Sequence, residues 1–336
     1  MPQLPLVTLL ESALAARADL LVEPYDGAVR LFNGFYEGDP RLVIDLYGRT
    51  LLLHNYADRP EELDETITVG IMRLRERLPW VRAVIVKSRH APDIESRQGV
   101  LIAMSESATP DRRVREHGVA YAVNLQMNRD ASFYPDTRNL RRWIIDHVAD
   151  KTVLNTFAYT GSLGVAATAG HARRVMQIDR NHAFLNVAKD SYSMNGFPIN
   201  RTDFQSGDFF TQVGHMKRTG VHFDWVIVDP PFFSETNKGR VDMVHESERV
   251  INKVRPLIND GGYLITINNA LFVSGVEYMS VLEGLCKDGY LTIEEIIPIP
   301  ADFTGYDQTR VMQPPEDPAP FNHPTKIAIL KVRKKG

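Results

Sequence analysis

From Lys151 onward the chain repeats one pattern: a short apolar stretch, a turn, and a stretch with helical spacing. Near-continuous apolar strands that alternate with amphipathic helices form a parallel sheet with helices on both faces. Two late segments, LTIEEIIPI and TKIAILKV, have only a Pro-rich loop between them and predict an antiparallel hairpin that closes the sheet. The apolar stretches of the repeat are TVLNTF, RRVMQID, FDWVIVDPP and GGYLITINN.

The first 125 residues follow a different pattern. One helical stretch lies near residues 59–78, where Leu63, Ile67, Ile71 and Leu74 recur at spacings of three and four. The sequence therefore predicts a smaller α+β domain over residues 1–125 and an α/β domain over residues 126–336. The strand-like stretches of the first domain are RLVIDLYGRTLLLHNY, VRAVIVKSR, GVLIAM and GVAYAVNL.

Composition and charge exclude several classes of protein. The single cysteine, Cys286, can form neither an internal disulfide nor a multi-cysteine metal site, which fits a reducing cytoplasm. No apolar run reaches the roughly 18 residues of a membrane-spanning helix, so no signal peptide or membrane segment is expected. At net charge −3, nucleic acid must bind through a local basic patch. The candidates for that patch are Arg138, Arg141, Arg142, Lys238, Arg240, Lys331, Arg333, Lys334 and Lys335.

The turn after the first strand of the repeat is a candidate ligand-binding loop. It reads NTFAYTGSLG, and its small residues would let a ligand approach the backbone amides at the start of the next helix. It is not the GxGxxG of dinucleotide-binding proteins. The candidate cofactor-binding residues are Asn155, Tyr159, Thr160, Gly161 and Ser162.

Two aspartates follow later strands of the repeat. Asp179 stands after the second strand, where a carboxylate can accept both hydroxyls of a ribose, or can simply cap the next helix. Asp208, in an SGD turn, is placed for an adenine amino group, or caps the helix that starts at Phe209. Both are candidate cofactor-binding residues.

The fourth strand of the repeat ends in Asp229, Pro230, Pro231 and Phe232. The two prolines fix the backbone, and carbonyls in this turn can accept from the amino group of a substrate. The aromatic residue that follows offers a face on which a nucleobase can stack. These four residues are the candidate catalytic residues, and Asp229 is also a candidate contact to the cofactor.

Taken together, these elements resemble the class I methyltransferases that use S-adenosylmethionine, and more narrowly the large-subunit ribosomal RNA methyltransferases with cytosine-5 and guanine-N7 branches. The resemblance implies a Rossmann-like domain with a mostly parallel seven-stranded sheet, S-adenosylmethionine as cofactor, and large-subunit rRNA as partner. It also implies that Phe133, Asp136 and Arg138 lie near the cofactor, and gives the first domain a role in recognising RNA. The stretches that carry it are residues 30–48, 115–125 and 131–142, NTFAYTGSLG and DPPFFSETNKGR.

The sequence departs from that family in two respects. The family's N-terminal PUA module, which binds RNA, has no counterpart here, so RNA capture would use the remaining surface. Cytosine-5 transfer needs a thiolate that attacks C6, and the cytosine enzymes carry a cysteine after the fifth strand. Here that position reads Asn268-Asn269, as in the guanine-N7 branch, and Cys286 lies further along in a helical stretch. The sequence therefore predicts methyl transfer to guanine N7, whose free lone pair needs no nucleophile or strong base.

The same motifs are compatible with other functions. The same pocket could serve an exocyclic amine (N2 of guanine or N6 of adenine) or a small molecule. A nicotinamide oxidoreductase would share the fold and Asp179, but leaves DPPF without a role. A catalytically inactive RNA-binding or ribosome-assembly factor would bind RNA without turnover. The ten histidines show no metal-ligand spacing, so no metal site is expected.

Overall fold

The computed structural model describes residues 5–23, 25–103, 108–231, 233–236 and 239–334. The chain divides into two compact units. The first unit comprises Met1–Pro135 and Pro300–Pro314, and the second comprises Asp136–Ile299 and Pro315–Gly336. The division thus falls ten residues after the predicted boundary, and a segment between the two late strands returns to the first unit.

The first unit is built on a five-stranded sheet of order β1-β2-β3-β4-β5, in which only β3 and β4 are parallel. Gly48, with φ of +57°, makes the tight turn between β2 and β3. The structure adds helix α1 and the short helices α2 and α4 to the single helix that the sequence predicted, which is α3. The elements are α1 (Leu6–Ala16), β1 (Ala28–Asn33), α2 (Gly34–Glu37), β2 (Leu42–Tyr47), β3 (Thr50–Asn55), α3 (Asp64–Arg77), β4 (Ala83–Ser88), α4 (Ile94–Gln98), β5 (Val100–Ala103), and the hairpin β6 (Arg113–Glu116) and β7 (Val119–Ala122).

A buried ion pair joins the segments of the first unit. Arg17 and Glu37 form a bidentate pair at 2.9 and 3.0 Å, and both side chains are almost fully buried. Arg17 also donates to the carbonyl of Asp302, and Thr309 donates to Glu37, so residues 300–314 are tied to the first unit. This polar network explains why the loop between the late strands belongs to the first unit, which the apolar pattern could not reveal.

The second unit contains a seven-stranded sheet of order β10-β9-β8-β11-β14-β16-β15, and only the pairings of β16 are antiparallel. The predicted fold class, with its closing antiparallel hairpin, is confirmed. The elements are α5 (Arg138–His147), β8 (Thr152–Thr156), α6 (Ser162–Ala169), β9 (Arg174–Asp179), α7 (His182–Met194), β10 (Phe204–Ser206), α8 (Phe209–Thr219), β11 (Phe223–Val228), β12 (Phe233–Thr236), β13 (Gly239–Asp242), α9 (Met243–Val254), β14 (Ile258–Asn268), α10 (Gly275–Cys286), β15 (Leu291–Ile296), α11 (Ala301–Thr304, in the first unit) and β16 (Lys326–Val332).

Apolar side chains of the strands and of the flanking helices form one core in the second unit. Val226, Val228 and Leu264 lie at its centre with no exposed surface, as continuous burial of a parallel strand on both faces requires. This core holds the strand ends in fixed positions. Across the described residues, no helix has both the length and the apolar character needed to cross a membrane.

Candidate active site

Loops of the second unit meet at the carboxyl edge of its parallel strands. From β8 the chain steps outward to β9 and β10, then returns to the other side of β8 with β11 and β14. In an open α/β sheet, ligands bind outside the carboxyl ends of the strands where the order reverses, here between β8 and β11. The residues that the sequence singled out at this edge are Asn155, Tyr159, Thr160, Gly161, Ser162, Asp179, Asp208, Asp229, Pro230, Pro231, Asn268 and Asn269.

The loop after β8 is held in an uncommon backbone conformation. Phe157 and Tyr159 have φ of 54° and 52°. An aromatic residue with positive φ costs about 1–2 kcal/mol, and such strain persists where surrounding structure fixes it, often at functional sites. The amide of Ala158 donates to the carbonyl of Ile178 at 2.8 Å, and that of Tyr159 donates to Oδ2 of Asp179 at 2.8 Å. The loop is therefore fastened to the end of β9.

Glycines allow the loop to pack against its neighbours. A Cβ on Gly161, whose φ is +76°, would lie 2.5 Å from Cβ of Ala188 and 2.6 Å from Oε1 of Gln177. A Cβ on Gly164 would lie 2.5 Å from the side chain of Gln177. Real contacts are never this short, so only glycine lets α6 start at Ser162 this close to β9 and α7.

Asn155, at the end of β8, has a buried oxygen without a donor. Its Nδ2 donates to Oε1 of Gln177 at 3.3 Å. Its Oδ1 is buried and has no hydrogen-bond partner among the described residues. An unsatisfied buried acceptor costs about 1–3 kcal/mol, so this oxygen is suited to a ligand that brings an N–H or ammonium donor.

Asp179 ends β9 with a half-buried carboxylate. It accepts from the amides of Tyr159 and Asn181, one at each oxygen and both at 2.8 Å. Each oxygen keeps a second lone pair, because an ionised carboxylate has about four acceptor positions. Burial raises the pKa of Asp179 above its ordinary value, against the lowering effect of the two amides.

Asp208 caps a helix, one of the two roles predicted from the sequence. Its Oδ1 accepts from the amide and from the hydroxyl of Thr211, both at 3.0 Å, at the start of α8. The adjacent Phe209 stacks on Phe157, with ring centroids 4.5 Å apart and planes 27° apart. This aromatic pair was missed from the sequence, although a phenylalanine directly after the SGD turn was the available signal.

Asp229 follows β11 and is partly buried. Burial, together with the negative charge of Asp136, raises the pKa of Asp229 to about 7. Asp136 also accepts at Oδ2 from the hydroxyl of Thr325 at 3.2 Å. The second unit thus brings two predicted site residues, Asp136 and Asp229, into electrostatic contact. Pro230 is buried and Pro231 is exposed; Phe232 lies outside the described residues.

The end of β14 carries amide side chains in place of a thiol. Asn268 is buried, donates to Oγ of Ser247 at 3.3 Å and accepts from the amide of Ala270 at 3.0 Å. Oδ1 of Asn269 is buried without a partner among the described residues. Lys326, the antiparallel partner of Asn268, is fully buried, and its ammonium donates to the carbonyl of Ala270 at 3.0 Å. Burial lowers the pKa of Lys326 to about 8.

Cys286 lies at the opposite edge of the sheet. Helix α10 follows β14 and leads into β15, which starts at the other edge, so its last residue, Cys286, is remote from the loop that holds Asn268. Burial raises the pKa of its thiol, which keeps it protonated.

Two predicted cofactor-binding residues, Phe133 and Arg138, precede β8 in the sequence. Phe133 belongs to the first unit, where its ring centroid lies 5.1 Å from that of Tyr121. Arg138 begins α5 and is half-buried. The cofactor roles of both residues stay predictions.

The predicted basic patch is wrong at Arg141 and stays a prediction at its other positions. Arg141 is fully buried and donates to Oγ1 of Thr137 at 2.7 Å, so it cannot reach a phosphate. Arg142 is exposed and pairs with Asp146 at 2.7 Å. Lys331, Arg333 and Lys334 lie at or beyond the end of β16, at the edge of the sheet opposite the site. Lys238, Lys335 and the side chain of Arg240 lie outside the described residues. Within the described ranges, no three potential metal ligands cluster.

The fold and the strand-end site define a class I type methyltransferase domain, and comparison with known proteins agrees. The family model of S-adenosylmethionine-dependent methyltransferases matches residues 50–309, which is most of the chain. The chain therefore belongs to this family. It is a methyltransferase, and its cofactor is S-adenosylmethionine, as the sequence predicted.

Curated relatives extend over much of the chain. A protein named ribosomal RNA large subunit methyltransferase I from Erwinia tasmaniensis is 27% identical over 268 residues, which cover 80% of this chain and 67% of the relative. The protein of the same name from Klebsiella pneumoniae is 29% identical over 260 residues, 77% of this chain and 64% of the relative. The chain thus spans about two thirds of the length of these relatives.

Solved structures share the fold. A methyltransferase crystallised with SAH aligns with TM-score 0.82 at 21% identity, over 97% of this chain and 80% of that one. A SAM-dependent methyltransferase from Agrobacterium tumefaciens aligns with TM-score 0.60 at 15% identity, over 88% of both chains. At these identities the likeness establishes the architecture and not the substrate.

Proposed function

We propose that this methyltransferase transfers the methyl group of S-adenosylmethionine to N7 of a guanine in large-subunit ribosomal RNA. The observation that carries the proposal is the pair Asn268 and Asn269 at the end of β14, with Cys286 at the opposite edge of the sheet. A cytosine-5 enzyme needs a thiolate beside the acceptor base. Guanine N7 already carries a lone pair, so a site without a thiol suits it.

Side chains at the strand ends fit the cofactor. S-adenosylmethionine supplies, when bound, an electrophilic methyl group on a sulfonium centre. Asp179 offers two remaining acceptor positions, which match the two hydroxyls of a ribose. Asn155 Oδ1, buried without a donor, would accept from the ammonium of the methionine moiety. We place the adenine beside Asp208 and the stacked Phe157 and Phe209.

The turn after β11 would hold the acceptor base. Asp229 and the carbonyl of Pro230 can accept from the N–H groups of a guanine edge and so orient N7 toward the methyl group. Methylation at N7 leaves the base with a positive charge. The neighbouring carboxylates of Asp136 and Asp229 favour that developing charge, because the site is partly desolvated. Stacking by Phe232 stays a prediction.

The RNA substrate is inferred from the relatives. Those from Erwinia and Klebsiella are named as methyltransferases of large-subunit ribosomal RNA. A ribosomal substrate would place the reaction in the cytoplasm. The first unit, which the family model includes from residue 50, is proposed to help recognise the RNA.

One observation favours a second acceptor, an exocyclic amine of guanine or adenine. Such an amine must lose a proton after transfer, and Asp229, with its pKa raised to about 7, is a suitable acceptor for it. An exocyclic amine needs Asp229 as a base, whereas guanine N7 does not. An Asp229→Asn variant would keep part of its N7 activity but would lose a base that amine methylation uses.

Transfer of label from methyl-labelled S-adenosylmethionine to unmodified large-subunit rRNA tests the proposal. We expect label in the RNA, equal rates for the wild type and Cys286→Ala, and no denaturant-resistant complex with RNA that contains 5-fluorocytidine. A covalent complex, or loss of activity in Cys286→Ala with its fold intact, would support the cytosine-5 reaction instead. No label despite cofactor binding would favour a small-molecule substrate or an inactive RNA-binding factor.

A further inference from the structure

A group of exposed arginines gathers around Asp111 in the first unit. Oδ2 of Asp111 accepts from the amide of Arg49 at 2.8 Å and from the hydroxyl of Thr50 at 3.0 Å. Its Oδ1 accepts from Nη2 of Arg82 at 2.6 Å, and the amide of Arg82 donates to the carbonyl of Arg49 at 3.0 Å. The Asp111 carboxylate thus binds residues 49–50 and Arg82, which are distant in sequence. Arg112 directly follows Asp111 in the chain.

Strand β6 adds two arginines to the same region. Arg113 and Arg115 are exposed, while the alternate residues of the strand are buried, so both arginines lie on one face. Arg115 donates its amide to the carbonyl of Asp26 at 2.7 Å and pairs with the Asp26 carboxylate at 3.3 Å. The following Gly27 accepts from the amide of Gly48 at 2.8 Å, beside Arg49, which links β6 to the Asp111 cluster. The arginine surface is defined as Arg49, Arg82, Arg112, Arg113 and Arg115.

The arginine surface carries an excess of positive charge. Two of its five guanidinium groups pair with carboxylates, Arg82 with Asp111 and Arg115 with Asp26. Arg49, Arg112 and Arg113 are exposed, and the described part of the chain gives their side chains no ion-pair partner. The whole chain has net charge −3, so this excess is local. Exposed arginines without carboxylate partners are suited to bind phosphates, because the guanidinium fork matches phosphate oxygens.

We propose that the arginine surface binds the phosphodiester backbone of the RNA substrate. The inference rests on the proposed function, which supplies a polyanionic substrate. Its members are all arginines, and contacts from arginines to phosphates position RNA without reading its sequence. An acidic protein partner is the competing occupant, and the test separates the two.

The test removes only the three unpaired arginines. The triple variant Arg49→Ala, Arg112→Ala, Arg113→Ala leaves Arg82 and Arg115 in their ion pairs, so its melting temperature should match that of the wild type. A matched control removes the same charge elsewhere, from the exposed Arg75, Arg201 and Arg218. Filter binding of unmodified large-subunit rRNA at several KCl concentrations gives Kd and its salt dependence, and calorimetry gives the Kd for S-adenosylmethionine.

We expect the triple variant to bind RNA about 10- to 100-fold more weakly. The slope of log K against log salt should become shallower by about 2, because three phosphate contacts are lost and each contact to single-stranded RNA contributes about 0.7. The Kd for S-adenosylmethionine should not change, nor should RNA binding by the control. The proposal would be overturned if the wild type and the triple variant had the same RNA affinity and the same salt dependence. It would also be overturned if the wild type bound no RNA. Either result would favour a protein partner. Because binding is measured without turnover, arginine-dependent binding without methyl transfer would refute the proposed function alone.

Discussion

Replacing Asp229 with asparagine should stabilise the second unit at alkaline pH. The pKa of Asp229 is raised to about 7 from an ordinary 3.8, so between those pH values the folded chain holds a proton that the unfolded chain has released. The free energy of unfolding of the wild type therefore falls as pH rises through this window, at about 1.4 kcal/mol per pH unit. Over the whole window from pH 3.8 to pH 7, the free energy of unfolding would fall by about 4 kcal/mol. Because the site can relax around the charged carboxylate, we expect a fall of about 2–4 kcal/mol.

Asparagine stays neutral, so the variant should lack this decline. We expect the difference in stability between Asp229→Asn and the wild type to grow by about 2–3 kcal/mol from pH 5 to pH 8. Urea unfolding followed by tryptophan fluorescence measures it, since Trp143 and Trp225 lie in the second unit. Asp190→Asn, on the exposed side of α7, is the matched control. A difference that does not change with pH, or a variant less stable than the wild type at pH 8, would refute the reasoning.

Further predictions concern the cofactor loop and the core of the first unit. Gly161→Ala should destabilise the second unit by about 2–3 kcal/mol, measured by thermal unfolding, because its Cβ would meet that of Ala188 at a positive φ; an unchanged melting temperature would contradict the described loop. Asp179→Ala should weaken binding of S-adenosylmethionine by about 10- to 100-fold in calorimetry, since two charge-assisted hydrogen bonds are lost; an unchanged Kd would remove the ribose contact. Arg17→Met should lower the free energy of unfolding of the first unit by about 3–5 kcal/mol, because Glu37 stays buried without its partner. The rate of methyl transfer at saturating substrates should not change. An unchanged free energy of unfolding in urea would show that the pair does not hold the first unit together.

The architecture of the second unit was predictable because its signals are local. Apolar strands such as β11 and β14 are continuous in sequence, and each is followed by a helix with its own spacing. The acidic and amide residues at the strand ends follow from the same pattern, because the carboxyl ends of parallel strands meet at one edge. The capping role of Asp208 was also visible, in the turn that precedes Phe209.

Features that depend on distant segments could not be predicted. The buried position of Arg141 and the pairing of Arg17 with Glu37 are decided by tertiary packing, since an arginine in a helix has the same sequence signal whether it is exposed or buried. The arginine surface likewise joins residues from three separate stretches through Asp111. The net charge therefore predicted that a local basic patch would be needed, but all nine of the predicted candidates lie in the second domain.

The identity of the methylated nucleoside tests methyl transfer to guanine N7 most directly. Unmodified large-subunit rRNA would be incubated with the protein and methyl-labelled S-adenosylmethionine, digested to nucleosides, and analysed by mass spectrometry. We expect label in 7-methylguanosine. Label in 5-methylcytidine would contradict it, because Asn268 stands where that reaction needs a thiolate.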